Sequence, residues 1–178
     1  MRTTGTPIDP VRLQVLWSRA ITIADEMAIT LMQTAFSTVV RDNHDFAVGI
    51  YDADGDLMAQ ANQSTPGQLH CMQRVMHDLL EVHPRDTLNP GDIIIANDPW
   101  LGSGHTPDIF IATPIFRQAA LIGFTVTCAH HTDIGGRIAA PDSREVYEEG
   151  IIIPISKLYD RNKPNELLFQ IIKRNVRL

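Results

Sequence analysis

The connections between the apolar runs of this chain limit its fold more than any other feature. Strands are predicted at residues 93–96, 109–116 and 121–129. A Gly- and Pro-bearing stretch joins the first two, and a turn at Arg117-Gln118-Ala119 joins the last two. Neither connection can hold a crossover helix, which parallel neighbours require. The strands are therefore predicted to run mainly antiparallel, and a last strand is predicted over residues 151–155.

Helical spacing of apolar residues precedes these strands. Residues 11–40 contain no Gly or Pro, and Asp9-Pro10 supplies an N-cap with proline at the first helical position. Apolar residues recur in this segment at Leu13, Leu16, Trp17, Ala20, Ile23, Ala24, Met27 and Leu31. We expect a long helix here with a break near its end, a second helix over residues 68–82 and a final helix over residues 166–176.

Between the first two helices the apolar period changes. Residues 46–51 and 57–60 flank an Asp-Gly turn, which predicts a β-hairpin in which Gly55 takes a positive φ. The predicted class is therefore α+β, a mainly antiparallel sheet with a long N-terminal helix and a second packed helix.

Composition excludes several classes of protein. A chain of 178 residues is long enough for one domain, and its net charge of −6 disfavours nucleic acid and anionic membrane as partners. No apolar run reaches the ~20 residues that span a bilayer, and the first seven residues lack the apolar core of a secretory signal. Cys71 and Cys128 form no CxxC pair. We expect reduced thiols and a cytoplasmic location.

Two Gly-rich motifs carry the residues that could perform chemistry. The first runs from Asn97 to Asp108 and places His105 three residues before Asp108; the second contains His130, His131 and Asp133. A loop can bring His105 and Asp108 to one ion, and adjacent histidines at a strand end point apart, so one of the two would join them. Two imidazoles and one carboxylate form a common set for a divalent transition metal that keeps open positions.

Interpretations other than a metal centre are open for these two motifs. His and Asp side chains could simply hydrogen-bond within two turns. The Gly102-Ser103-Gly104 segment could cradle a phosphate, but no Lys-Ser/Thr pair follows it, and turn formation explains it as well. Glu148-Glu149 could supply a ligand or a base, or form a solvated turn.

Several segments along the chain together form a recognisable pattern. They are Asp25-Glu26-Met27, Asp45-Phe46 with the Asp-Gly hairpin, Pro66-Gly67, Gly91-Asp92, Asn97-Asp98-Pro99 through His105 and Asp108, the turn from His130 to Gly136, and Glu148-Glu149-Gly150-Ile151. Together they resemble the hydantoinase B/oxoprolinase family, which includes the B-type chains of N-methylhydantoinase, 5-oxoprolinase and the alpha-type subunits of acetone and acetophenone carboxylases. Family chains are longer, so residues 1–178 are expected to be a single N-terminal portion of such a subunit.

The resemblance implies an activity and a partner. An actin-like ATPase subunit of the hydantoinase A type would use ATP to phosphorylate the substrate, and the B-type subunit would then open a small cyclic amide, within a hetero-oligomer. The alternatives are a carboxylase subunit with the same metal, or a truncated fragment without activity. The doubled histidine favours the hydantoinase branch, because the acetone carboxylases have no histidine that matches His131.

The resemblance also assigns roles to residues. His105, Asp108 and His130 match the positions through which the carboxylase branch of the family binds a divalent metal, and here the metal could be Mn, Zn or Fe. Asp133 and Asp45 are expected beside the ion, where either could orient a water or accept its proton. His131 is expected to contact the substrate or steady its turn.

Overall fold

The computed structural model describes residues 8–137 and 140–177, and within these ranges it forms a seven-stranded antiparallel sheet and four α-helices. The strands are β1 (Phe46–Asp52), β2 (Leu57–Gln60), β3 (Ile93–Ala96), β4 (Asp108–Arg117), β5 (Ala120–His130), β6 (Ser156–Asp160) and β7 (Lys163–Pro164). Their spatial order is β2-β1-β5-β4-β3-β6-β7. The predicted α+β class is confirmed. The first seven residues, which are not expected to form a signal, lie outside the described ranges.

The β4–β5 hairpin forms the centre of the sheet. Its turn is the two residues Gln118 and Ala119, with Gln118 at φ 57°. Pro114 lies within β4, where it removes one backbone donor. It is tolerated because β3 pairs with β4 only as far as Ala112.

The prediction of a strand at residues 151–155 is wrong. This segment forms no strand. It runs beside the end of β3, where the N–H of Asn97 donates to the carbonyl oxygen of Ile153 at 3.1 Å and the Asn97 side chain adds further bonds. The Asn97 amide donates to the carbonyl oxygens of Ile151, at 3.0 Å, and Thr106, at 2.7 Å, and accepts from the N–H of Ile153 at 2.6 Å. The pairing partner of β3 is instead β6, which begins after Pro154 and forms a hairpin with β7.

The helices are α1 (Pro10–Thr34), α2 (Thr38–Arg41), α3 (Pro66–Val82) and α4 (Glu166–Asn175). Asp9 caps α1 as expected, since its carboxylate accepts from the N–H of Arg12. The expected break follows Thr34, where Ala35 leaves the helical conformation. The predicted apolar stripe of α1 is buried only near its end. Ala24 is fully buried, whereas Trp17 and its apolar neighbours before it are exposed.

The two faces of the sheet are covered by different helices. Met72, Met76 and Leu79 of α3 contact one face, while Ala24 and Ala28 of α1 contact the opposite face beside β1. The face against α3 contains Ala47, Phe110, Ala112, Phe124, Val126 and Cys128. Cys71 and Cys128 are free thiols. None of the helices in the described ranges combines the length and the hydropathy needed to cross a membrane.

Candidate metal centre

The central hairpin places one carboxylate and one imidazole side by side. Asp108, the first residue of β4, is the register partner of His130, the last residue of β5. Side chains alternate between the faces of a sheet, so both lie on the same face as Phe110 and Cys128. This is the face that α3 covers. The pair therefore stands where the two central strands end, beside the first turn of that helix.

The loop between β3 and β4 brings His105 to this pair. The Asn97 amide donates to the carbonyl oxygen of Thr106, and the carboxylate of Glu149 accepts from the N–H of Thr106 at 2.8 Å. Thr106 is fully buried, so the residue before it has little freedom. A Cβ on Gly102 would lie 2.5 Å from the ring of Phe110, which explains why glycine stands in this loop.

The three side chains meet with a geometry that suits an ion. Nε2 of His105 is 3.0 Å from Oδ2 of Asp108, and Nδ1 of His130 is 3.1 Å from Oδ1 of Asp108. One ligand atom from each residue lies within 4.8 Å of the other two. Two ligand atoms bound to one ion at ~2.1 Å stand roughly 3.0–3.4 Å apart, so the three atoms would draw closer together on binding a metal.

Burial and charge make Asp108 the fixed member of this set. Its side chain is 3% exposed, against 17% for His130 and 39% for His105. Burial alone raises the pKa of Asp108, but hydrogen bonds with His105 and His130 outweigh burial and hold that pKa well below its usual range. The pKa of His105 is raised, mainly by its hydrogen bond with Asp108. Asp108 is therefore ionised and ready to act as a ligand.

Asp45 lies next to His130, one of the three clustered residues. It directly precedes β1, and its carbonyl oxygen accepts from the N–H of His130 at 3.1 Å. Its carboxylate Oδ2 is 3.7 Å from Nδ1 of His130, and Oδ1 accepts from Nε2 of Gln68 at 3.0 Å. A carboxylate at this position can accept a proton at the edge of the centre.

His131 and Asp133 are not members of the cluster that His105, Asp108 and His130 form. They line a cavity of about 260 Å³ whose other walls are apolar, including Ile109 and Ile111 of β4 and Phe169 of α4. Alternation along β5 places His131 on the face opposite to His130. The pKa of His131 is lowered, first because nearby atoms desolvate its charged form and then because His130 adds repulsion.

The carboxylate of Asp133 holds backbone and arginine groups. It accepts from the N–H of Gly135 at 2.9 Å, and it accepts from the backbone N–H and the guanidinium of Arg177. Gly135 and Gly136 allow close packing, because a Cβ on them would lie 2.2 Å from the Asn175 carbonyl oxygen and 2.1 Å from the Glu149 carbonyl carbon. The expected catalytic use of Asp133 stays a prediction.

Sequence reasoning misses two residues that support the centre. The apolar pattern places Gln68 only within the second helix, and Asn97 stands only at the start of a motif. Both roles depend on contacts between distant segments, which no local pattern reveals. Glu149 is one of the two acidic residues that the sequence marks, and its contact with Thr106 shows it supporting the loop.

A model of the hydantoinase B/oxoprolinase family matches residues 9–178, nearly the whole chain. The chain belongs to this family. The B-type chain of a putative D-/L-hydantoinase from Pseudomonas sp. (strain NS671) is 33% identical over 181 residues, covering 96% of this chain and 30% of the relative. The chain thus spans about a third of the length of such relatives.

Two solved structures have a fold similar to that of this chain. The ATP-dependent caprolactamase from Pseudomonas jessenii superposes with a TM-score of 0.85 at 30% identity, over 97% of this chain and 30% of that chain. A nucleotide-free acetone carboxylase gives a TM-score of 0.79 at 24% identity, over 95% of this chain and 23% of that chain. At this identity the second likeness shows the fold alone.

Proposed function

We propose that this chain is the N-terminal portion of a B-type subunit of an ATP-dependent cyclic-amide hydrolase. The observation that carries the proposal is the convergence of His105, Asp108 and His130 at one end of the central strands. Support comes from two relatives, one named as the B-type chain of a hydantoinase and one as an ATP-dependent caprolactamase. Both names describe enzymes that act on rings containing an amide.

The three clustered side chains would hold a divalent ion. When bound, such an ion supplies Lewis-acid activation of a water or a carbonyl oxygen. Asp108 gives the site a fixed negative charge, and the two imidazoles complete a set with borderline ligand character. Asp45, at 3.7 Å from His130, stands where it can take a proton from an attacking water.

Ring opening then follows from ordinary acyl chemistry. The water gives its oxygen to the activated carbonyl carbon and a proton to Asp45. The ring C–N bond breaks as the nitrogen takes up that proton, and a second water hydrolyses the acyl phosphate that remains to a carboxylate and inorganic phosphate. Activation of the carbonyl is assigned to an actin-like ATPase partner of the hydantoinase A type, which would phosphorylate the amide oxygen at the expense of ATP. The working enzyme is accordingly a hetero-oligomer.

His131 and Asp133 also line a cavity of about 510 Å³ that His130 borders, so a small ring held there would lie beside a residue of the proposed centre. Contact with substrate is the role proposed for His131. Asp133, which accepts from Arg177 and Gly135, would serve by fixing the turn that follows His131.

The test uses the full-length subunit together with its ATPase partner. ATP is supplied with a hydantoin, 5-oxoproline or caprolactam, and in parallel with acetone and bicarbonate. We expect ATP-dependent opening of at least one ring, lost in His130→Ala and retained in His70→Ala, which removes an exposed histidine of α3. Turnover of the ketone without turnover of any ring would establish the carboxylase alternative instead, and no turnover of either would refute the enzymatic role.

A further inference from the structure

Gln68 connects helix α3 to the edge of the metal centre. It lies in the first turn of α3, and only 4% of it is exposed. Its Nε2 donates to Oδ1 of Asp45 at 3.0 Å, while Oδ2 of Asp45 is 3.7 Å from Nδ1 of His130. A rigid helix is thereby linked, through one carboxylate, to an imidazole of the cluster.

The orientation of the Gln68 amide is fixed by this link. Its Oε1 is buried and has no hydrogen-bond partner within residues 8–137 and 140–177. Rotating the amide by half a turn would place Oε1 against Oδ1 of Asp45, two acceptors with no proton between them. A buried acceptor without a partner lowers stability. An apolar side chain would avoid that cost, so stability alone does not explain glutamine here.

The carboxylate of Asp45 needs such a support. The backbone of Asp45 is held on both sides, because its N–H donates to Val39 and its carbonyl oxygen accepts from His130. Its side chain is 36% exposed and could rotate towards water. The bond from Gln68 keeps one carboxylate oxygen turned to α3 and the other turned to His130.

We propose that Gln68 is a positioning residue of the metal centre and acts through Asp45. It keeps the Asp45 carboxylate turned towards His130, as a second acidic group beside the cluster, which strengthens binding of a divalent cation. The inference rests on the proposed metal centre. It adds a residue that touches neither the ion nor the substrate. Supporting groups of this kind change metal affinity by ~10–100-fold when removed.

The experiment measures Zn²⁺ and Mn²⁺ dissociation constants of the purified chain by competition with a chelating dye. The variants are Gln68→Leu, Asp45→Ala and the double variant. Gln73→Leu is the matched control, because Gln73 is a hydrogen-bonded glutamine of the same helix that contacts the β1–β2 turn. We expect Gln68→Leu to weaken binding by ~10–100-fold and Gln73→Leu to leave it unchanged.

The double variant separates positioning from a general structural effect. If Gln68 acts through Asp45, Gln68→Leu causes no further loss in the Asp45→Ala background. Thermal unfolding of the metal-free variants should show Gln68→Leu as stable as the parent or more stable, since the unpartnered Oε1 is gone. Gln68→Met serves as a second variant if Gln68→Leu does not fold.

Two results would overturn the inference. One is an unchanged dissociation constant in Gln68→Leu while Asp45→Ala weakens binding; the other is losses that multiply independently in the double variant. A parent chain that binds neither ion would instead refute the metal centre itself. The two failures are therefore distinguishable.

Discussion

At the scale of single residues, Asp108 organises the centre. It is nearly inaccessible to water, yet it stays ionised because two imidazoles donate to it. Asp108 is the register partner of His130 at the open end of the central β4–β5 hairpin. The backbone hydrogen bonds of that hairpin therefore fix the position of Asp108. The two histidines come from a loop and a strand end and have more freedom. An ion would therefore meet one rigid carboxylate and two adjustable imidazoles.

Gly102 gives a prediction at this scale. In Gly102→Ala the new methyl group would lie 2.5 Å from the buried ring of Phe110, so the ring or the loop must move. We expect a loss of ~1–3 kcal/mol in the free energy of unfolding, measured by urea denaturation. Gly67→Ala is the control, because nothing lies within 4 Å of its added Cβ and it lies in α3. It should be neutral or stabilising by up to ~1 kcal/mol. Equal effects of both substitutions would contradict this account.

The residues at the centre were partly predictable from sequence. His105, Asp108 and His130 stand in motifs whose residue types belong to metal chemistry, and the structure brings them together. Asp133 belongs to the same motif as His130, but it contacts Arg177, which lies more than forty positions further along the chain. Gln68 lies in an ordinary helix start. Such contacts depend on where distant elements meet, which spacing alone does not encode.

At the scale of elements, Asn97 and Asp92 hold segments together through side chains. Asn97 joins the end of β3 to residues 151–153 through its backbone N–H, which donates to Ile153, and through its side-chain amide. Asp92 is fully buried just before β3, where it accepts from the N–H groups of Asn89 and Arg161, each at 2.9 Å, and from Lys157 of β6 at 2.9 Å. Each of these two residues ties a loop to the sheet.

Asn97→Ala should affect both stability and the centre. The substitution leaves the carbonyl oxygens of Thr106 and Ile151 and the N–H of Ile153 without this partner. We expect a loss of ~2–4 kcal/mol in the free energy of unfolding, since each unsatisfied buried group costs about 1–3 kcal/mol and the loop can relax. Metal affinity should also fall, because the Asn97 amide holds Thr106, which directly follows His105 in the loop before Pro107. Asn43→Ala, at an exposed loop position, should change neither quantity; a stable Asn97→Ala chain would contradict the role given to this side chain.

The buried carboxyl group of Asp92 should make the stability of the chain depend on pH. Burial alone raises the pKa of Asp92, but its bonds with Lys157 and with two backbone N–H groups outweigh burial and lower that pKa. A carboxyl with a depressed folded-state pKa adds stability above the unfolded value of ~3.9 and loses it as the pH falls towards the folded value. The unfolding free energy of the parent chain should therefore drop more steeply below about pH 4 than that of Asp92→Asn. Asp86→Asn, at an exposed position, should retain the parent slope; identical slopes for the parent and Asp92→Asn would refute the assignment.

Element prediction succeeded where one local signal dominates. The Asp-Gly hairpin, the N-cap of α1 and the two long strands follow from turn residues and apolar spacing. The β6–β7 hairpin was missed because its turn residues, Arg161 and Asn162, have positive φ without a glycine. The strand expected at residues 151–155 failed because an apolar run cannot reveal that a side chain will supply part of its hydrogen bonding.

At the scale of the whole molecule, the sheet separates two surfaces. The proposed metal centre lies on the face that α3 covers, and the apolar cavity that contains His131 and Asp133 lies on the other. The N-terminal half of α1 exposes apolar side chains, among them Val11, Leu16 and Trp17. The chain spans 30% of the related hydantoinase chain. These features support the proposal that the chain acts inside a larger assembly.

The purified chain should therefore be inactive by itself. We expect no ATP hydrolysis and no opening of a hydantoin or of 5-oxoproline above background, because the proposed ATPase and the remainder of the subunit are absent from the assay. The measurements are release of phosphate and appearance of the ring-opened acid. Full-length subunit with its ATPase partner is the positive control. Robust ATP hydrolysis by the 178-residue chain would contradict the division of labour proposed above.

The most direct test of the central claim is a crystal structure of the chain with Zn²⁺, with diffraction recorded above and below the zinc absorption edge. Our account predicts one strong anomalous peak at ~2.0–2.2 Å from ligand atoms of His105, Asp108 and His130 together. It also predicts that the peak disappears in Asp108→Ala and persists in Asp56→Ala, which removes an exposed carboxylate. Zinc bound elsewhere, or bound to one of the three residues alone, would contradict the metal centre.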